Sequence, residues 1–177
     1  MINISPFIKG DIMNRLLIIA TLTINIIFQT TILNVITING ASLNTSLMLI
    51  IAIAVYLKPK ESLLYALYTG LLLDTVTGVF IGLNTFIFLL IAFGISIIQE
   101  ELVKESYLTP LLLGIASILI YNFLSLFFVY LLGYTVRLVH YFSWNTLIEI
   151  GYNSVFMLLL YSLFGKFYNL RIKEVKY

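Results

Sequence analysis

The sequence predicts an all-α polytopic membrane protein with six transmembrane helices and both termini in the cytoplasm. Three observations predict it. Of 177 residues, 61% are hydrophobic and 10% charged, and the mean hydropathy is +1.07, against roughly 45–50% apolar and 25% charged in a soluble domain. The apolar residues form runs that, at about 20 residues per crossing, make about six helices with short loops. Lys and Arg, with one exception, fall in segments that six crossings place on the same side. The whole chain, 1–177, reads as a single integral membrane domain.

Residues 1–14 are a mixed cytoplasmic lead-in carrying Lys9 and Asp11, with Arg15 just before the first apolar run. That run, 16–36, is followed by no small-residue cleavage pattern, so it reads as a signal anchor. It contains Asn25, Gln29, Thr30 and Thr31, which favours one protein-facing side. The second span, 43–57, is short for a hydrocarbon core of about 30 Å; it is expected to be thinly covered or to borrow from the loop before it. Lys58-Pro59-Lys60-Glu61 makes a tight basic turn, with Pro placed to start a helix. The third span is 62–79, and the fourth, 83–98, follows almost at once as a hairpin. The most charged loop, 99–109, leads into the fifth span, 110–132. Tyr134, Tyr141, Phe142 and Trp144 then form an interfacial belt before the sixth span, 146–164, and a basic tail. Lys9, Arg15, Lys58, Lys60, Lys104, Lys166, Arg171, Lys173 and Lys176 all fall on the N-terminal side of this arrangement, and only Arg137 falls opposite.

The third span carries the chain's most informative stretch, Gly70-Leu-Leu-Leu-Asp74-Thr-Val-Thr-Gly78-Val-Phe-Ile-Gly82-Leu-Asn84. Gly70, Asp74, Gly78 and Gly82 recur every four residues and, on a helix, form one slowly curving stripe. Leu71, Leu72 and Leu73 are expected to cover the opposite side. Small residues let another backbone approach, and whatever docks there shields the acid from lipid, where a charge costs about 2.5–3.5 kcal/mol or more. The stripe is therefore expected to be the packing centre of the bundle. Gly78-x-x-x-Gly82 reads equally as a helix-packing motif or as a turn element. The stripe reading expects a bulky residue at Gly70 or Gly78 to misfold the subunit or dissociate its complex, and Leu72→Ala to do neither.

At 1.5 Å per residue, Asp74 lies roughly 20 Å above the cytoplasmic end of its span. Asn122, Asn153 and Gln29 come to a similar level on the fifth, sixth and first spans. The expectation is a buried polar layer in the outer half of the membrane, in which Asn122, Asn153 or Gln29 hydrogen-bonds Asp74. A proton or cation site at Asp74 would want a second acid or a relay, and none is evident.

From Leu47 to Asn84 the sequence resembles the rod shape-determining protein MreD family of bacterial cell-wall elongation. The likeness lies in an apolar second span, the basic Pro-containing turn Lys58-Pro59-Lys60-Glu61, Gly-Leu-Leu-Leu-Asp at Gly70 to Asp74, and then Gly78, Gly82 and Asn84. Chain length and span order match as well. Leu43-Asn44-Thr45-Ser46 departs from it in lacking a Pro ahead of the second span. The resemblance implies a non-enzymatic subunit of the bacterial cytoplasmic (inner) membrane that binds MreC and is associated with RodA, a class B penicillin-binding protein and MreB. The implied fold is similar to the substrate-binding subunits of energy-coupling-factor vitamin transporters. The alternative function is accordingly a transporter's substrate-binding subunit, although the first span offers only Ala20 where an Ala-x-x-x-Ala-like strip is wanted.

Other classes are disfavoured. A net charge of +2 is too small and scattered for nucleic acid. The absence of Cys removes disulfides, thiolate chemistry and Cys-based metal sites. No Ser-His-Asp set, His-Glu-x-x-His motif, phosphate-binding glycine loop or acid pair appears, so no catalytic residue, metal ligand or cofactor is assigned. His140 reads as interfacial packing rather than a metal ligand. Arg137 and Glu149 flank the outer loop as a candidate pair, worth ~0–1 kcal/mol if exposed. Glu100-Glu101-Leu-Val-Lys104-Glu105 reads as a solvated face or a docking site, and the basic tail as a lipid-attracting segment.

Overall fold

The computed structural model describes residues 6–33, 43–78, 80–102, 106–133 and 144–174. Among them are six α-helices: α1 (Pro6–Phe28, continued by a π-helical turn Gln29–Leu33), α2 (Thr45–Tyr56), α3 (Pro59–Thr77), α4 (Leu83–Ile98), α5 (Leu108–Leu131) and α6 (Trp144–Glu174). Three contain stretches long and apolar enough to cross a bilayer: Arg15–Ile32, Leu108–Leu131 and Thr146–Leu163. Their large exposed side chains, such as Ile24, Leu112, Phe123 and Leu159, are apolar, as hydrocarbon contact requires. At 31 residues, α6 is about 46 Å long and outruns its own apolar stretch. Arg137, His140, Tyr141, Lys104 and Glu105 lie outside the described residues.

The bundle is built around α2. This helix, Thr-Ser-Leu-Met-Leu-Ile-Ile-Ala-Ile-Ala-Val-Tyr, has no polar face, and a helix apolar on every side belongs inside. All twelve of its residues are buried, and it packs against each of the other five helices. The sequence expectation of a thinly covered second span is thus corrected: α2 is short because it is enclosed. It is also the packing centre, a place the sequence had given to the glycine stripe on α3.

A helix of 12 residues is about 18 Å long; its start is buried in the bundle, where unpaired backbone groups have no water to turn to, and its end leads from half-buried Leu57 into the exposed turn Lys58-Pro59-Lys60. Side chains from other helices serve both ends. Asn44 opens α2 by accepting from Leu47 N at 3.1 Å, which supplies the start signal in place of the Pro that the sequence lacks. Gln29 Oε1 accepts from Ser46 N at 2.7 Å and from Thr45 Oγ1 at 2.9 Å. Asn153 Oδ1 accepts from Asn44 N at 2.9 Å, and Asn25 Nδ2 donates to Ser46 Oγ at 3.0 Å. At the other end, Gln99 Nε2 donates to Val55 O at 3.0 Å and Leu57 O at 2.9 Å.

Pro59 at the first helical position starts α3, with Glu61 in its first turn. Glu61 pairs with Arg15 of α1 at 3.0 Å, an exposed contact worth at most ~1 kcal/mol. Higher up, the Thr23 and Tyr68 hydroxyls join the same two helices at 2.8 Å. The three leucines do not share a side, because consecutive residues step about 100° around a helix. Leu71 is exposed, Leu72 is half-buried against the core and Leu73 is buried. Leu72 is therefore not the outward position that the stripe reading made it. On α4 the buried set Thr85, Ile87, Phe88, Ile91, Ala92 and Ile95 follows the helical period and faces α2 and α3.

Replacing Gln29 or Gln99 by Leu leaves backbone groups of α2 unpaired, at about 1–3 kcal/mol each. Thermal unfolding in detergent is expected to show a clear drop in Tm for both. Thr21→Val, at an exposed position, is expected to stay within about 0.5 kcal/mol of wild type.

Candidate functional site

Asp74 lies in the last turn of α3 and is fully buried. Gly78 closes that helix in the left-handed conformation (φ 65°), its N–H bonded to Asp74 O at 3.0 Å. Gly82, also left-handed (φ 95°), is the N-cap of α4 and has no side chain to cap it. The chain therefore reverses between two glycines and brings the bare start of α4 back onto the carboxylate.

Five donors converge there. Gly82 N donates to Asp74 Oδ2 at 3.0 Å, Asn84 N to Oδ1 at 3.0 Å and Thr85 N to Oδ2 at 3.0 Å. Asn84 Nδ2 adds a bond to Oδ1 at 2.9 Å, and Thr85 Oγ1 one to Oδ2 at 2.6 Å. Asp74, from the preceding helix, thus does for α4 what its glycine N-cap, lacking a side chain, cannot. It satisfies backbone donors that helix geometry orphans, and it lies at the positive end of the helix dipole. A carboxylate, which only accepts, is what five donors call for. Protein donors alone bond this acid at both oxygens, and each comes from within 11 residues of it in sequence.

Asn84 carries the site outward. Its Oδ1 accepts from the Tyr121 hydroxyl of α5 at 2.7 Å, and that hydroxyl also lies beside the Asn44 side chain at the start of α2. The capped start of α4 and the capped start of α2 therefore meet around one phenol.

The expected polar layer is rearranged by this geometry. Gln29 and Asn153 do come together, but on the first residues of α2 and not on Asp74. Asn153 Nδ2 also donates to Glu149 O at 2.9 Å, while Asn122 Nδ2 donates to Glu149 Oε2 at 3.1 Å. None of Gln29, Asn122 and Asn153 bonds Asp74, and the reason is local. The reversal delivers the N–H groups of α4 to the carboxylate, leaving no acceptor position to be filled from across the bundle.

The stripe divides in the same way. A Cβ at Gly70 would stand 2.3 Å from Thr85 Cα, so Gly70 is where the backbones of α3 and α4 touch. A Cβ at Gly78 or Gly82 would meet nothing within 4 Å; these two serve the turn through their positive φ. Thr85, which gives Asp74 two bonds and abuts Gly70, is not singled out by the sequence, nor are Tyr121 and Gln99. For Thr85 a signal existed: a short polar donor at the third position of a helix whose own cap is a glycine.

Asp74→Asn turns an NH₂ toward groups that only donate or strongly prefer to. It is expected to destabilise by about 3 kcal/mol or more, read as a fall in Tm in detergent. Gly70→Ala forces α3 and α4 apart, at roughly 1–3 kcal/mol. Gly78→Ala meets no atom and costs only the left-handed backbone, about 1–2 kcal/mol, with Gly78→Asn milder still.

Comparison with known proteins adds one likeness. The family model for rod shape-determining protein MreD matches residues 10–171, nearly the whole chain and well beyond the stretch that carries the sequence resemblance. No curated protein and no solved structure matches. A match of that extent, on a chain whose described elements are all helices and include three stretches long and apolar enough to cross a bilayer, identifies a membrane protein of rod-shape determination: the chain belongs to the MreD family.

Proposed function

We propose that this chain is a non-enzymatic scaffold subunit of the wall-elongation complex in the bacterial cytoplasmic membrane. In this reading it crosses the membrane six times with both termini inside, binds MreC, and stands in a larger assembly with RodA, a class B penicillin-binding protein and MreB. The fold likeness to energy-coupling-factor substrate-binding subunits belongs to the same reading, as implied by the family. Family membership supports the cellular role.

The observation that carries the scaffold reading is the state of Asp74. The one fully buried acid among the described residues is occupied by five bonds of structural geometry, and an acid so held serves shape rather than turnover. What remains for other molecules is the apolar exterior of the helices, suited to packing against further membrane helices. Gly70, Asp74, Gly78, Gly82 and Asn84 contribute by fixing the α3–α4 hairpin whose outer face is presented. A transporter's substrate-binding subunit needs an open polar chamber, and Asn44 at the start of α2 is instead buried and bonded at both its backbone N–H and its side chain. Nothing in the comparisons speaks for that alternative.

The test is recovery of MreC with the tagged full chain from membranes that express both. MreC is expected to accompany the wild type, and Gly70→Leu is expected to lose both MreC and rod shape. Leu71→Ala, on the exposed side of the same helix, keeps both. Purification of the wild type without MreC, or rod shape untouched by Gly70→Leu, counts against the reading.

A further inference from the structure

Two carboxylates lie among the outer halves of the helices, and they are served very differently. Asp74 receives five donors, whereas Glu149 on α6 receives one, Asn122 Nδ2 at 3.1 Å. Glu149 is only half-buried, at the seam between α5 and α6. It lies five residues, roughly 7.5 Å, along the helix from Trp144, whose exposed indole marks the polar interface of the bilayer. The exposed side chains of these two helices nearby in sequence, Leu119, Phe123 and Leu147, are apolar. One amide does not replace the hydration of a carboxylate at such a depth, and no Lys or Arg among the described residues pairs with it.

We propose that Glu149, held by Asn122, is the acceptor for a Lys or Arg near the outer end of an apolar helix of another membrane subunit, which lies along the α5–α6 seam. Charge complementarity selects the cation, and depth selects its carrier. The ammonium of a lipid headgroup stays at the interface, about one and a half turns of helix above, whereas the long stem of Lys or Arg reaches down from a backbone at that level. Asn122 fixes one oxygen and leaves the other to the incoming donor. This rests on the scaffold reading above and names the chemistry of its contact.

The test uses the full chain co-expressed with the membrane partner proposed above. Glu149→Lys is expected to lower recovery of the partner by roughly tenfold or more, and Glu149→Asp to keep most of it. Exchanging the partner's outer-end Lys or Arg for Glu is expected to restore recovery with Glu149→Lys. Thermal unfolding in detergent separates loss of contact from loss of fold; should Glu149→Lys not fold, Glu149→Gln, which keeps the shape, must still lower recovery. Wild-type recovery with Glu149→Gln overturns the inference and leaves the scaffold reading standing, while absence of the partner beside the wild-type chain overturns that reading itself. Arg137→Gln reproducing the loss assigns the cation to this chain, and loss only in membranes lacking phosphatidylethanolamine assigns it to lipid; either result overturns the proposal.

Discussion

The ends of buried helices govern this molecule. In water, the free N–H and C=O groups of a helix terminus are solvated at no cost, but within a bilayer they must be met by protein. Two of the six helices, α2 and α4, begin inside the bundle, and most of the polar side chains in the interior are committed to those beginnings. Asp74 meets the first N–H groups of α4, while Gln29, Asn44 and Asn153 meet those of α2. Gln99 answers the carbonyls at the far end of α2. Polar residues that look scattered along the sequence are, in space, the termini of helices completed by their neighbours.

This constraint also explains why α2 lies at the centre. A helix too short to span lipid cannot leave its ends in hydrocarbon, so it has to sit where other helices bring polar groups to both of them. Its wholly apolar surface then becomes the common core onto which α1, α3, α4, α5 and α6 pack. Gly70 lets α3 approach α4 closely enough for the Asp74 cap to close, so the steric and the polar features of the hairpin serve one geometry. Tyr121 joins that cap to the start of α2 through Asn84.

The helical membrane class, the burial of Asp74 and the family resemblance are legible because they depend on composition, on a charge in an apolar run and on a local motif. The partners of Asp74 are not. The sequence directs attention to side chains at a similar depth on other helices, whereas the donors are mainly backbone N–H groups, which carry no residue signature. Gly78 and Gly82 were ambiguous because four-residue spacing suits a packing stripe and a capped reversal alike, and only φ distinguishes them. The enclosure of α2 was hidden by its shortness, which reads as poor membrane coverage unless the helices around it are known. Thr85 and Gln99 are common residues whose meaning comes from what lies opposite.

The local character of the Asp74 cap bears on how the chain enters the membrane. Its donors lie 8 to 11 positions downstream, so the α3–α4 hairpin can neutralise its own acid as it leaves the translocation machinery, before any later helix is synthesised. The start of α2 is closed in two stages: Gln29 and Asn25 of α1 precede it in the chain, but the N–H of Asn44 waits for Asn153, 109 residues further on. The innermost helix is thus among the first made, and its cap is complete only when α6 arrives.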